Sequence, residues 1–303
     1  MAHIKSIVVG KGSYGSIGDI SVRRFADSVI ATRKPGRKVG PSTFRQVLHQ
    51  VHFANVMRAY TLLNLTAPNG RGMCEAFPGR PSGRTNVNMF VKYNFAKEEV
   101  FAVVQRKEES VGGVLVPAPF VVTRGTLPSI CPFFRVAQEG EGRPAYIVTP
   151  ATGLRPGGQT TMGLFYRALA EVLEGMGVEV AQGDRLTFFV MAYRTVGAPE
   201  TRVYAPRFVV DFWSEEVLPG YMQTLYEGHV AMNLSALLGI RGMGVDVAPV
   251  LGRDTDEGCA VSDSDFSDNM LTSEAYVSHV GEDRAVEAAG TYGYKEEPFL
   301  IDN

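Results

Sequence analysis

Cysteine is scarce in this chain: Cys74, Cys131 and Cys259 are the only three in 303 residues. They are too few and too scattered for a disulfide framework or a zinc site, so buried, inert thiols and a reducing compartment are expected. Long apolar runs are missing too. Nothing approaches the roughly 18 residues of a membrane span, and Met1-Ala2-His3-Ile4-Lys5-Ser6 has no signal-peptide pattern, so no membrane partner is expected. Net charge is nearly absent, at −2 from 30 basic and 32 acidic groups. No period of roughly 20–50 residues repeats, which excludes solenoids and propellers. What the chain does have is apolar material. Hydrophobic residues make up 45% of it, enough for a sizeable core and too many for a disordered or collagen-like polymer.

The small net charge hides a strong asymmetry. Residues 1–50 carry nine Lys or Arg and two Asp, a net of +7. Residues 253–303 carry three basic and thirteen acidic groups, a net of −10. Such polarity concerns partners and not fold. Either the two ends neutralise each other within one protomer, or the basic end rests on an acidic neighbour or on nucleic acid.

Ile4 to Val9 reads as a strand, and alternation across Ile20, Val22 and Arg24 reads as a half-exposed hairpin strand. Residues 33–42, rich in Arg, Lys, Pro and Gly, break regular structure. Ser42 or Thr43 caps a helix to about Leu63, with Phe44, Val47, Leu48, Val51, Ala54 and Met57 at helical steps. Residues 66–84 form a loop, and 85–99 a second helix with Val87, Phe90, Val91 and Phe95 on one face. Beyond residue 105 the runs Val114–Val116, Phe120–Val122, Ala145–Val148, Leu186–Tyr193 and Phe208–Trp213 are β-branched or aromatic between Gly and Pro. A helix from Thr161 to about Leu173 interrupts them. Met222, Leu225, Tyr226 and Val230 suggest another short helix, and Ala275–Val280 and Ala285–Tyr292 a closing hairpin. The fold class is therefore α+β, mainly β: an N-terminal basic hairpin and arm (1–41), a helical segment (42–105) packed on a β-sandwich-like body (106–303), and an acidic loop at 253–268.

Motifs for chemistry are weak. Gly10-Lys11-Gly12-Ser13-Tyr14-Gly15 matches G-x-G-x-x-G, but a dinucleotide site needs a helix directly afterwards and the pattern there is that of a strand. A kinase reading, with Lys34 pairing phosphates, needs His-Arg-Asp and Asp-Phe-Gly elements. The closest strings are Gly183-Asp184-Arg185 and Asp211-Phe212-Trp213, the latter expected inside a strand. A glycine-rich turn is the better account. His49 and His52 lie one turn apart at metal-ligand spacing with no third ligand nearby, so no metal is expected. Asp254, Asp256, Glu257, Asp263, Asp265 and Asp268 surround Cys259 without the register of an EF-hand and read as a solvated acidic loop. None of the cysteines has a Cys-His context, and Trp213 with its aromatic neighbours reads as core. No catalytic residue and no cofactor is assigned.

The pattern Gly15-Ser16-Ile17-Gly18-Asp19 before an Arg-rich strand, Arg33-Lys34-Pro35, and Thr43-x-x-Gln46 opening a helix resembles a family of unknown function from gut Bacteroidota and their phages and mobile elements. Thr85 to Asn94 resembles that family's asparagine-centred second helix, and Ala275–Tyr292 its closing strands. The departures are Ala288-Ala289-Gly290, where the family pattern is Ser-rich, and the long acidic loop. The resemblance implies no reaction. It implies a genomic setting rich in phages, and hence a virion component assembled in the host cytoplasm.

The expected function is that of a non-enzymatic structural protein assembling in multiple copies, with itself and other assembly proteins as partners. Arg23, Arg24, Arg33, Lys34, Arg37 and Lys38 would anchor the arm on an acidic neighbour, with Pro35 and Pro41 keeping it extended. Nucleic acid is a less favoured partner for the arm. The alternative is a surface or extracellular module that recognises a glycan or a protein through loops of the β body.

Overall fold

A computed structural model describes residues 15–17, 20–25, 28–33, 44–63, 65, 75–95, 103–107, 110–114, 120–138, 143–194, 200–256 and 258–267. Contacts divide the chain into two compact units, Met1–Pro41 with Pro81–Arg84, and Ser42–Arg80 with Thr85–Asn303. The first contains a three-stranded antiparallel sheet of β1 (Gly15–Ile17), β2 (Ile20–Phe25) and β3 (Ser28–Arg33). A strand, β2, follows the glycine-rich stretch, which is the element the dinucleotide reading could not accommodate.

In the second unit, α1 (Phe44–Leu63) and α2 (Asn86–Asn94) come first, then the pair β4 (Val103–Lys107) and β5 (Ser110–Val114). The buried side of α1 is Asn55, Val56, Ala59, Tyr60 and Leu63, at three- and four-residue steps. That corrects the expected face, since Ala54 is exposed and Met57 only half-buried. Thr85 caps α2 by accepting from the Asn88 N–H at 3.3 Å. Asn94, buried near its end, acts as a strand partner for β6 (Val121–Thr123). Its Oδ1 accepts from the Val121 N–H at 2.7 Å, and its amide donates to the Val121 carbonyl at 3.0 Å. One side chain thereby satisfies both polar groups of a buried residue.

The remaining elements are β7 (Arg135–Ala137), β8 (Tyr146–Val148), α3 (Met162–Gly175), β9 (Arg185–Arg194), β10 (Glu200–Tyr204), β11 (Arg207–Val209), β12 (Thr224–Tyr226), β13 (His229–Asn233), α4 (Leu234–Leu238), β14 (Gly244–Thr255), β15 (Gly258–Val261) and β16 (Ser264–Asp265). The central sheet runs β10-β9-β14-β15, with β11 also paired to β9. Both of its faces are covered. Leu186, Phe188, Val190, Val245, Val247 and Leu251 face α3 and a four-stranded sheet of order β12-β13-β8-β7. Phe189, Met191, Ala248 and Val250 face α1, α2 and β6. A strand buried on both sides reads as a continuous apolar run, as Leu186–Tyr193 does. The fold is α+β and mainly β, with sheet packed on sheet and helices against both faces of the central sheet.

Three assignments change. The stretch expected as one strand to Trp213 is β11 followed by a turn over residues 211–213. The helix suggested at 219–240 is largely the hairpin β12–β13, closed at Glu227-Gly228 with φ of 51° and 85°. Both positive angles belong to the tight hairpin turn that usually carries Asn-Gly, so Glu-Gly gives a poor cue. The acidic loop is strand in large part. Arg253, Asp254 and Thr255 end β14, Cys259 lies in β15, and Asp265 in β16. The closing hairpin at 275–292 and the strand at Ile4–Val9 lie outside the described residues.

Candidate functional site

The side chain that stands out is Trp213. It is 76% exposed, the most exposed of the large hydrophobic residues described. Its expected place in the core is therefore corrected. The loop that carries it runs from β11 to a short 3-10 turn at Gly220–Met222 and lies over the first turn of α3. Thr161 caps that helix, accepting from the Leu164 N–H at 3.3 Å. The first free N–H groups of α3 go to the loop: Met162 donates to the Glu216 carbonyl at 2.7 Å, and Gly163 to that of Ser214 at 3.1 Å. Leu218 returns a bond to the Thr160 carbonyl at 2.9 Å.

Gly163 is required by this closeness. A Cβ there would lie 2.6 Å from the Ser214 oxygen and 2.8 Å from that of Phe212. The tip is fixed as well. Gln182 accepts from the Phe212 N–H at 2.7 Å and donates to Asp211 Oδ1 at 3.0 Å, and the same carboxylate oxygen accepts from the Trp213 N–H at 3.1 Å. The backbone around Trp213 is thus held at both ends and at its tip, while the indole stands in water.

Three carboxylates lie within three residues of it along the chain. Asp211 is half-buried, while Glu215 and Glu216 are exposed, and no ion pair among the described residues uses any of the three. Burial raises the Tyr166 phenol well above its usual pKa, with Tyr221, Asp211 and Glu216 adding to the effect. Tyr221 is raised too, first by burial and then by Glu216. Val217 and Leu164 add exposed apolar surface beside the loop. Arg167 folds its Nε onto the Gly163 carbonyl at 3.4 Å. The loop thus presents an exposed indole with Asp211, Glu215 and Glu216 within three residues of it along the chain.

Of the six basic residues expected to anchor the arm, three are described. Arg23 and Arg24 lie on β2 and Arg33 ends β3, while Lys34, Arg37 and Lys38 lie outside the described residues. The register sets Arg24 against Val29 and Arg33 against Ile20 on one parity, and Arg23 against Ile30 on the other. His49 and His52 both pack on Phe95, with ring centroids at 4.6 and 4.8 Å. Burial first, and then His49, lowers the pKa of His52. Among the described residues no three metal-ligating side chains gather, and no helix is long and apolar enough to cross a membrane.

Three of the six acids around Cys259 are bonded rather than solvated, while Asp256 is exposed and Glu257 and Asp268 lie outside the described residues. Asp254 pairs with Arg185, Asp263 accepts from the Gly125 N–H at 2.8 Å, and Asp265 accepts from Arg124 at 2.9 Å. Cys259 itself is disulfide-bonded, which corrects the expectation of inert thiols throughout; Cys74 lies outside the described residues and Cys131 is free. Cys131 is half-buried, with Sγ 3.4 Å from Ser264 Oγ. An apolar gap of about 10 Å³ lined by Met162, Phe165, Phe188, Phe208 and Met222 is a packing seam between α3 and the central sheet.

No protein-family model, curated protein or solved structure matches the chain.

Proposed function

We propose that the chain is a non-enzymatic assembly protein that works in many copies, as a structural component of a phage particle. Its basic amino end is set against acidic surface on a neighbouring copy. The observation that carries this reading is the presentation of Trp213. Trp213 is exposed together with Val217 of the same loop and Leu164 of the helix turn beneath it, and grouped exposed apolar side chains, more than single ones, mark interaction surfaces. Exposed, pre-ordered tryptophans are the side chains that most often anchor interfaces, because little conformational entropy is lost when they are covered. The charge asymmetry of the chain, +7 over residues 1–50 and −10 over 253–303, supplies complementary surfaces for repeated contact. A phage setting adds to this the resemblance of the glycine-rich start, Arg33-Lys34-Pro35 and the Asn-centred helix to a family of phage-rich genomes.

The test is light scattering on the full chain and on a variant with Arg23, Arg24, Arg33, Lys34, Arg37 and Lys38 changed to Gln. The natural sequence should assemble, and the variant should have the mass of one chain. Equal masses for the two would contradict the proposal. A glycan- or protein-binding module would use the same tryptophan but would be monomeric in both cases.

A further inference from the structure

We infer that the Trp213 surface is a receptor for residues 33–42 of a second copy. The inference rests on the assembly reading above and names the contact. The surface offers an exposed indole face, with Asp211, Glu215 and Glu216 within three residues of it and unpaired by any described cation. Its best occupant brings positive charge to the rim and a flat or cationic group to the ring. Arg33-Lys34-Pro35-Gly36-Arg37-Lys38-Val39-Gly40-Pro41-Ser42 has four cations, two prolines and no acid.

Guanidinium and ammonium groups are drawn to the face of an indole, tryptophan being the strongest of the aromatic partners. Proline-containing segments dock against aromatic side chains because their backbone is already restricted before binding. The carboxylates set the sign of the ligand and disfavour nucleic acid, whose phosphates they would repel. The Asp211 turn and the bonds from α3 hold the loop in place, so the receptor side is ordered before contact.

The chain contains a single tryptophan, so its fluorescence reports this surface alone. The acceptor is the full chain carrying Arg33→Gln, Lys34→Gln, Arg37→Gln and Lys38→Gln, which removes competition from its own segment. The probe is a synthetic peptide of residues 33–42. The expected result is a saturable change in Trp213 emission, weakened about tenfold in about 0.5 M salt, where charges are screened beyond a few ångströms. A similar loss is expected when the acceptor also carries Glu215→Gln and Glu216→Gln, with its melting temperature unchanged.

No saturable change, or a change indifferent to salt and to the two glutamates, would overturn the inference. If the natural chain still assembles in light scattering, that failure leaves the assembly reading standing; if it is monomeric, both fall. Peptide binding by the acceptor but not by the natural chain, with the natural chain monomeric at every concentration, would place the segment on its own copy and overturn the second-copy contact. A response to a neutral oligosaccharide and none to the peptide would give the surface to a glycan.

Discussion

Two acidic clusters on the same body have opposite fates. Asp184, 1% exposed, accepts from Arg253 Nε and Nη2 at 2.8 Å each and from the Ala181 N–H at 2.8 Å. Arg253 also reaches the Glu179 carbonyl at 3.0 Å. Both Asp184 oxygens are bonded within the fold, and the cluster joins the end of β14 to the turn before β9. Around Trp213 the carboxylates have no cation, the aromatic ring has no cover, and the backbone is nevertheless held. The first cluster is spent on stability. The second is tied to the fold through Asp211 alone, while Glu215, Glu216 and the indole have no ion pair among the described residues, and on the proposed reading they are left for a second copy.

That contrast can be broken by substitution. Asp184→Ala leaves Arg253 facing an empty, poorly solvated position and frees the Ala181 N–H; a loss of about 3 kcal/mol is expected in denaturant unfolding. Gly163→Ala comes next. Alanine is the better helix former, but its Cβ must push against the Ser214 and Phe212 carbonyls, so the net loss is about 1 kcal/mol and the loop is displaced. The Trp213 emission of this variant should become more accessible to a soluble quencher. Trp213→Ala should change stability by less than about 0.5 kcal/mol, as for other exposed positions, while removing self-association. A strongly destabilised Trp213→Ala protein would mean that the indole is part of the packing and would dissolve the comparison.

Elements with one dominant local signal were legible in the sequence. Thr85 and Thr161 mark their helices because a hydroxyl is the cheapest partner for an orphan N–H at N3, and β9 is marked by its unbroken apolar run. The central strand β14 is not, because Asp246 and Pro249 interrupt its apolar residues. Pro249 is tolerated since it lies opposite Phe188, whose N–H turns away from β14 to the Pro206 carbonyl. At such a position the proline nitrogen faces away from β9, and β15 pairs only from Gly252 onward.

Trp213 was misread for a related reason. An aromatic residue following Phe208-Val209-Val210 scores as strand and core, and its exposure depends on contacts with α3 some fifty residues earlier. Gly163 was the available cue, a glycine in the first turn of a helix where alanine would serve unless another backbone came close. The acids at 254–265 looked solvated because their partners, Arg185, Gly125 and Arg124, are far away in the chain. The basic residues at 23–38 have only their charge as a sequence signal, and the register of β2 and β3 sets Arg24 and Arg33 on one parity and Arg23 on the other.

The most direct test of the account is the mass of the full chain in solution, measured by light scattering at low and at high salt. Charge-complementary assembly predicts a multiple of 33.0 kDa at low salt that falls towards a single chain as salt is raised. A mass of one chain at both salt concentrations and at every protein concentration would contradict it.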